Sequence, residues 1–247
     1  MSLASHLIEL RKRLARIAIA VVLGTVAGWF LSDFLLTAIR IPVEAAASEQ
    51  NRLAALNYDS VTGAFDLKVQ IAFTIGIVIS SPIWLYQVWA FFFPGLTRKE
   101  KKYSLGFFLT AVPLFLAGCA MGTFIFPHIV QVLTSFVPSQ DSSLLKATDY
   151  YTFVLKLTVA VGIAFVLPVF IVLLNFIGIL SAKGIIGGWR IALITIVIFS
   201  ALTTPSADVV SMFVLAVPMV VLYAAAAGVA VLRDRSVERA LVRQLAS

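Results

Sequence analysis

The sequence predicts an all-α integral membrane protein of six helical spans, with both chain ends on the same side of the bilayer. Three observations predict it. Of 247 residues, 61% are apolar and the mean hydropathy is +1.02, against about 45–50% apolar in ordinary soluble domains. Too few polar residues remain to cover a globule, so a bilayer is the solvent that fits. The apolar residues gather into six runs separated by polar breaks, and the bases collect in alternate breaks.

The first span is 17–39, a run of 23 residues. A cleavable signal carries an apolar region of only about 7–15 residues, whereas a membrane-crossing helix needs about 20, so this run reads as a retained span. The next three spans are 69–93, 105–126 and 153–180. The apolar region that follows is split by Thr203-Thr204-Pro205-Ser206-Ala207-Asp208 into spans 188–203 and 209–232. The strictly apolar part of the fifth, Ile191–Leu202, has 12 residues. It would reach about 18 Å across a hydrocarbon core about 30 Å thick. Either that helix starts earlier, near Ile185, or the bilayer thins around it. Residues 233–247 read as a basic tail, and the loops 40–68 and 127–152 as long connections.

Counting bases orients the chain. Arg11, Lys12, Arg13, Arg16, Arg98, Lys99, Lys101, Lys102, Lys183, Arg190, Arg233, Arg235, Arg239 and Arg243 share one side, 14 of the 19 Lys and Arg residues. Arg40, Arg52, Lys68, Lys146 and Lys156 fall on the other. Lys and Arg concentrate in cytoplasmic loops, so both termini are expected in the cytoplasm, which requires an even number of spans. Trp84, Trp89, Trp189, Tyr150 and Tyr151 fit interfacial aromatic positions.

Composition and motifs narrow the function. The net charge of +7 is scattered between apolar spans, which argues against nucleic acid as a partner. The one cysteine, Cys119, lies inside an apolar run and has no second thiol to pair with. His6 and His128 are far apart and lack any HExxH context, so no metal is assigned. No phosphate-binding loop of the Walker type is present. The spans hold no paired acids, Ser-Lys pair or histidine cluster, so no cofactor is expected and the chain is not read as an enzyme.

Pro82, Pro113, Pro168 and Pro218 lie inside spans, where each removes a helical hydrogen bond and tends to kink the helix. Intramembrane charge, the usual mark of a transport path, is scarce. Gln87 and Asn175 read as interhelical hydrogen-bonding residues. A solute transporter would instead need polar groups converging near the midplane. On the basic side stand two acids, Glu9 and Glu100. Glu9 has two readings: an i,i+4 pair with Arg13 on an interfacial helix, or a carboxylate that takes an arginine guanidinium through paired hydrogen bonds. Glu100, within Arg98-Lys99-Glu100-Lys101-Lys102, either balances local charge or acts in the same way.

Three segments carry a family resemblance. They are His6-Leu7-Ile8-Glu9-Leu10-Arg11-Lys12-Arg13-Leu14; Ser81-Pro82-Ile83-Trp84-Leu85-Tyr86-Gln87-Val88-Trp89-Ala90-Phe91 followed by Pro94-Gly95-Leu96 and Glu100; and Thr204-Pro205 with Asp208, Ser211, Pro218 and Leu222-Tyr223. In order and spacing they resemble the TatC family, the signal-recognising core subunit of the twin-arginine protein translocase, over about residues 5–232. The resemblance implies a cupped bundle of six kinked helices with short fifth and sixth helices, in the bacterial plasma membrane. It implies binding of twin-arginine signal peptides of folded cargo by Glu9 and Glu100, with Phe91 beside them. It assigns structural or subunit-contact roles to Pro42, Pro82, Gln87, Pro94, Pro168, Thr204, Asp208 and Met212. Partners would be TatA- and TatB-type single-span subunits and further copies in a receptor complex. Export would draw on the proton-motive force without a nucleotide. The sequence also departs from the family pattern: Val166, Met212 and Ala224 stand where relatives often carry polar or acidic residues, which puts the usual docking of the small subunits in doubt.

Overall fold

The computed structural model describes residues 3–49, 62–92, 98–135, 147–203 and 209–245, and every regular element among them is helical. The order is α1 (Leu3–Glu49), α2 (Gly63–Ile79), α3 (Ser81–Phe92), α4 (Arg98–Ser135), α5 (Ala147–Phe176), α6 (Ala182–Gly187), α7 (Trp189–Thr203) and α8 (Val209–Leu245). Among the described residues, α1, α4, α5 and α8 are each long and apolar enough to cross a membrane, and α2 with α3 makes a fifth candidate bent by 59°.

The helices outrun the apolar runs. α1 continues past Ile39 to Glu49, α4 continues to Ser135, and α2 already starts at Gly63. Much of the two stretches read as long loops is therefore helix. Hydropathy measures only the lipid-compatible length, whereas helix formers such as those of Glu44-Ala45-Ala46-Ala47-Ser48-Glu49 carry the backbone hydrogen bonds further. The same holds at the other end. Residues read as a basic tail are the last turns of α8, and this 37-residue helix is not short, as the resemblance implied. α7 is short, with 15 residues, about 22 Å of rise. A break at Gly188 separates it from α6, which holds Ile185, so α7 does not begin near Ile185.

The chain divides into two compact units, Met1–Gly95 with Leu116–Gly162 and Leu96–Phe115 with Ile163–Ser247. In the first, α1 packs on α2 through small residues. The buried positions of α1 include Ala20, Gly24, Gly28 and Ser32, one every four residues, while Ile19, Leu23, Phe30 and Phe34 point outward. A soluble helix would do the reverse. Lipid is as apolar as leucine, so nothing drives large side chains inward, and close backbone approach drives pairing instead. A Cβ on Gly24 would stand 2.6 Å from the carbonyl oxygen of Gly76, and one on Gly76 would stand 2.6 Å from the Thr25 nitrogen. Tyr150 and Tyr151, expected at an interface, are instead buried at the start of α5, and the Tyr150 hydroxyl donates to the Ile39 carbonyl of α1 at 3.4 Å. The first span also holds an acid that the argument from scarce charge passed over: Asp33 is ion-paired with Lys68 at 2.9 Å, and Lys68 lies 5.1 Å over the Trp29 ring.

The break between α2 and α3 lies at Ser80, just before Pro82. Proline cannot donate to Val78, and its ring clashes with the preceding turn. The local sequence closes the wound. Backbone nitrogens of Ile83 and Trp84 both donate to the Ser80 carbonyl, at 2.9 and 3.1 Å. The Ile77 carbonyl accepts from the Trp84 indole Nε1 at 2.9 Å and from the Ser80 hydroxyl at 3.3 Å. Trp84 therefore serves the kink, in addition to any interfacial role. Trp84→Phe deletes that donor and is expected to cost about 1 kcal/mol, read as a fall of about 2–4 °C in melting temperature in detergent. The helices run unbroken through Pro113, Pro168 and Pro218. In a medium without water, one missing bond costs less than the several an unravelled turn would expose.

In the second unit, α8 holds the corner between α5 and α6. α5 ends at Phe176, and Gly178 adopts a left-handed conformation (φ 85°) that lets the chain turn. Arg233 of α8 donates to the last carbonyls of α5, Asn175 by Nη1 and Phe176 by Nη2, the latter at 2.9 Å. Its guanidinium lies 5.4 Å from the Phe176 ring centroid. The next residue, Asp234, accepts from the Ala182 amide at the start of α6 at 2.7 Å and from Asn175 Nδ2 at 3.1 Å. Cation at a helix C-terminus and anion at a helix N-terminus both suit the helix dipoles. Asn175 is buried and bridges helices, as its isolation in an apolar run suggested. Tyr223 completes the corner, its hydroxyl donating to the Ile185 carbonyl at 2.6 Å.

Candidate functional site

The first turns of α1 present His6, Glu9 and Arg13 on one face, because positions three and four apart stack on a helix. The facing element is α3, whose Gln87 and Phe91 are likewise four apart. Two rungs join them. The His6 and Phe91 rings stack with centroids 4.5 Å apart and planes 24° from parallel. Arg13 Nη1 donates to Gln87 Oε1 at 3.3 Å. Because His6 meets Phe91 and Arg13 meets Gln87, the two helices run antiparallel here, with Glu9 on the α1 side between the rungs. The kink at Ser80 sets the direction of α3 and so aims Gln87 and Phe91.

Glu9 accepts from Arg13 twice, from Nε at 3.0 Å and from Nη2. Both bonds end on Oε1, so Oε2 has no protein partner among the described residues. The pair is partly screened from solvent, with side-chain exposures of 25% for Glu9 and 17% for Arg13. Arg11, Lys12 and Arg16 point outward. The site is thus a half-used carboxylate beside an aromatic stack, on a basic helix face. Chemically it suits a planar cation, since a guanidinium offers paired donors that match two carboxylate oxygens. The local i,i+4 pairing of Glu9, one of its two readings, is present in the structure.

Glu100 lies in the first turn of α4, and its side chain is outside the described residues. Pro94, Thr204 and Asp208 also lie outside them. Pro42 is inside α1, with its side chain not described. Pro82 sits at the α2–α3 break, Pro168 is buried in α5, and Met212 is half-buried in α8. Val166 is packed in the interior at 5% exposure, and Ala224 faces outward. Sequence reasoning missed the His6–Phe91 stack and the Arg233–Asp234 clasp. An Arg-Asp pair at the end of an apolar run was the available signal for the second.

A cavity of about 280 Å³ in the first unit is lined by Leu35, Ile39, Leu116, Cys119 and Leu155, with Thr74, Thr123 and Thr158 as its polar groups and no charged side chain. That is not the convergent polar site a solute carrier needs.

The chain matches the family described as Sec-independent protein translocase protein (TatC) over residues 5–218. It is 41% identical to the Sec-independent protein translocase protein TatC of Xylanimonas cellulosilytica over 239 residues, covering 97% of this chain and 87% of that one. It is 35% identical to TatCy of Bacillus subtilis over 227 residues, covering 90% and 86%. Two crystal structures of the twin-arginine translocase receptor TatC superpose with TM-scores of 0.77 and 0.80, each 27% identical. They cover 92% and 91% of this chain and 98% and 99% of their own.

Proposed function

This chain belongs to the TatC family of Sec-independent protein translocase proteins, and from that premise we propose that it binds the twin-arginine signal of folded cargo through Glu9. As a family member it is a multi-pass membrane protein of protein transport and not an enzyme. The observation that carries the finer reading is the half-engaged Glu9 carboxylate beside Phe91. It already grips a guanidinium, that of Arg13, and this contact supports the reading.

In this reading Glu100, in the first turn of α4, is a second acid for the signal's arginine pair. The stack of His6 on Phe91 gives the signal an apolar, flat wall. The proposal extends to six spans at 17–39, 69–93, 105–126, 153–180, 188–203 and 209–232, with both termini in the cytoplasm of a bacterial cell. It includes scaffolding of TatA- and TatB-type subunits, assembly with further copies of this chain, and export driven by the proton-motive force. The basic bias of the loops supports the orientation, and the length of α7 supports a thinned bilayer where small subunits dock.

The test is photocrosslinking in native membranes between the first turns of α1 and a signal carrying an Arg-Arg pair, against the same signal with Lys-Lys. Glu9→Gln keeps the shape of the side chain and removes its charge. It is expected to weaken crosslinking at least about tenfold, the loss of one charge-assisted pair worth about 1.5–3 kcal/mol. Equal labelling of Glu9→Gln and wild type, with normal protein levels, overturns the assignment.

A further inference from the structure

We infer that Arg13 is a resident competitor for the signal's guanidinium, a built-in latch on Glu9 that must release before a cationic ligand can bind. This rests on the proposed role of Glu9. Its basis is the way Arg13 is shared. Nε and Nη2 hold Oε1 of Glu9, while Nη1 already reaches Oε1 of Gln87 at 3.3 Å. Gln87 is buried on α3 and lies 74 residues away in the chain, so it is an acceptor held by a different helix from the one that carries Glu9 and Arg13. Arg13 therefore has somewhere to go. When it lets go of Glu9, it keeps a hydrogen bond and does not become a buried cation without a partner.

The exchange is balanced in charge. Before binding, one guanidinium faces one carboxylate. An incoming guanidinium first meets Oε2, the oxygen without a protein partner among the described residues. Two cations around a single carboxylate repel, so full engagement of the ligand requires Arg13 to withdraw toward Gln87. Gln87 is neutral: it accepts the displaced group without adding a second anion that would hold Arg13 permanently. The product has the ligand on Glu9 and Arg13 on Gln87. Nothing covalent changes, and no proton moves.

Two consequences distinguish this latch from a merely structural ion pair. The competitor is the same whatever the ligand, so it raises the threshold for all ligands by a common factor and leaves their ratio alone. Weakening it must also make binding tighter, whereas damage to the site makes binding weaker.

The experiment measures equilibrium binding of a fluorescent signal peptide to the full-length chain in lipid nanodiscs, with Arg-Arg and Lys-Lys versions as probes. Arg13→Lys keeps the charge and loses the planar fork, so simple relief of charge repulsion predicts no change. The latch predicts that Arg13→Lys binds both peptides more tightly, by about two- to tenfold, the difference between a forked and a single charge-assisted contact. The Arg-Arg to Lys-Lys ratio should stay as in the wild type. Gln87→Glu is the second variant: it draws Arg13 off Glu9 without removing it and should also tighten binding. Glu9→Gln separates the two ideas. If it leaves binding unchanged, the Glu9 reading fails and the latch with it. If Glu9→Gln weakens binding while Arg13→Lys and Gln87→Glu bind equally or less tightly, Glu9 is the site and the latch is overturned.

Discussion

Asp234→Ala is expected to lower the melting temperature of the detergent-solubilised protein by about 4–8 °C, the equivalent of about 2 kcal/mol in a chain of this size. The carboxylate accepts three hydrogen bonds, from the Ala182 amide, from Asn175 Nδ2 and, at 3.4 Å, from Arg233 Nη1. Charge-assisted bonds contribute about 1.5–3 kcal/mol each. Solvent reaches 34% of the Asp234 side chain, which discounts that sum toward its lower end. The effect should be larger than a surface acid gives because three helices meet at this residue. Losing it frees the first amide of α6, leaves the buried Asn175 with one partner fewer, and removes the neighbour of Arg233. Asp234→Asn keeps an acceptor and should fall between. Equal melting temperatures for wild type and Asp234→Ala would show that the corner stands on apolar packing alone.

The same residue gives a pH dependence with a definite sign. The Ala182 amide chiefly, then Asn175 and Arg233, hold the Asp234 carboxyl below its ordinary value of 3.8, against the opposing effect of partial burial. The residue stands beyond the apolar stretch that ends at Leu232, so water reaches it. A depressed folded-state value means the contribution is present above the ordinary carboxylate range and disappears as pH falls through the folded value. Wild type and Asp234→Ala should therefore differ most near neutral pH and converge in acid.

Gly28→Leu is the second large effect expected. The Cβ of any residue at Gly28 would run into the Ala72 carbonyl and lie 3.0 Å from the Ile75 side chain. Neither neighbour can yield: one is a backbone carbonyl, and the other is the Ile75 Cβ, whose place the backbone of α2 fixes. A leucine must therefore push α1 away from α2 along the Ala20–Ser32 stripe. Overpacking costs about 1–3 kcal/mol in a soluble core, and here it acts on backbone contact that is itself the attraction between the helices. The outcome to look for is loss of the folded, monodisperse species on extraction into mild detergent. Ala27→Leu, one residue earlier and exposed, is the control, and it should extract like wild type. If Gly28→Leu does so too, the helices do not depend on that close approach. The candidate site would feel the same disturbance, since α1 carries Glu9 and α2 leads through the kink to Gln87 and Phe91.

These cases mark where sequence reading succeeds and where it stops. Helical class and membrane residence follow from single-residue chemistry summed along the chain: apolar runs long enough for a bilayer, and bases where a bilayer tolerates them. The kink before Pro82 follows from a missing N–H, and the interhelical role of Asn175 from an amide set in hydrocarbon. The Gly24-Thr25-Val26-Ala27-Gly28 spacing was equally available and went unread. Lengths of α1, α4 and α8 were not legible from hydropathy, because that scale is silent about a helix continuing into water.

At the site, the sequence by itself determined which groups are present: an acid, a base four residues on, and an aromatic in a long motif. Only the tertiary structure decided that Arg13 divides its donors between Glu9 and Gln87, that His6 covers Phe91, and that Arg233 and Asp234 close a corner between two other helices. The physical reason is range. Solvent preference and local hydrogen bonding are properties of neighbours along the chain. Which of several possible partners a charged side chain takes depends on the position and burial of groups tens of residues away, and these exist only once the helices have packed.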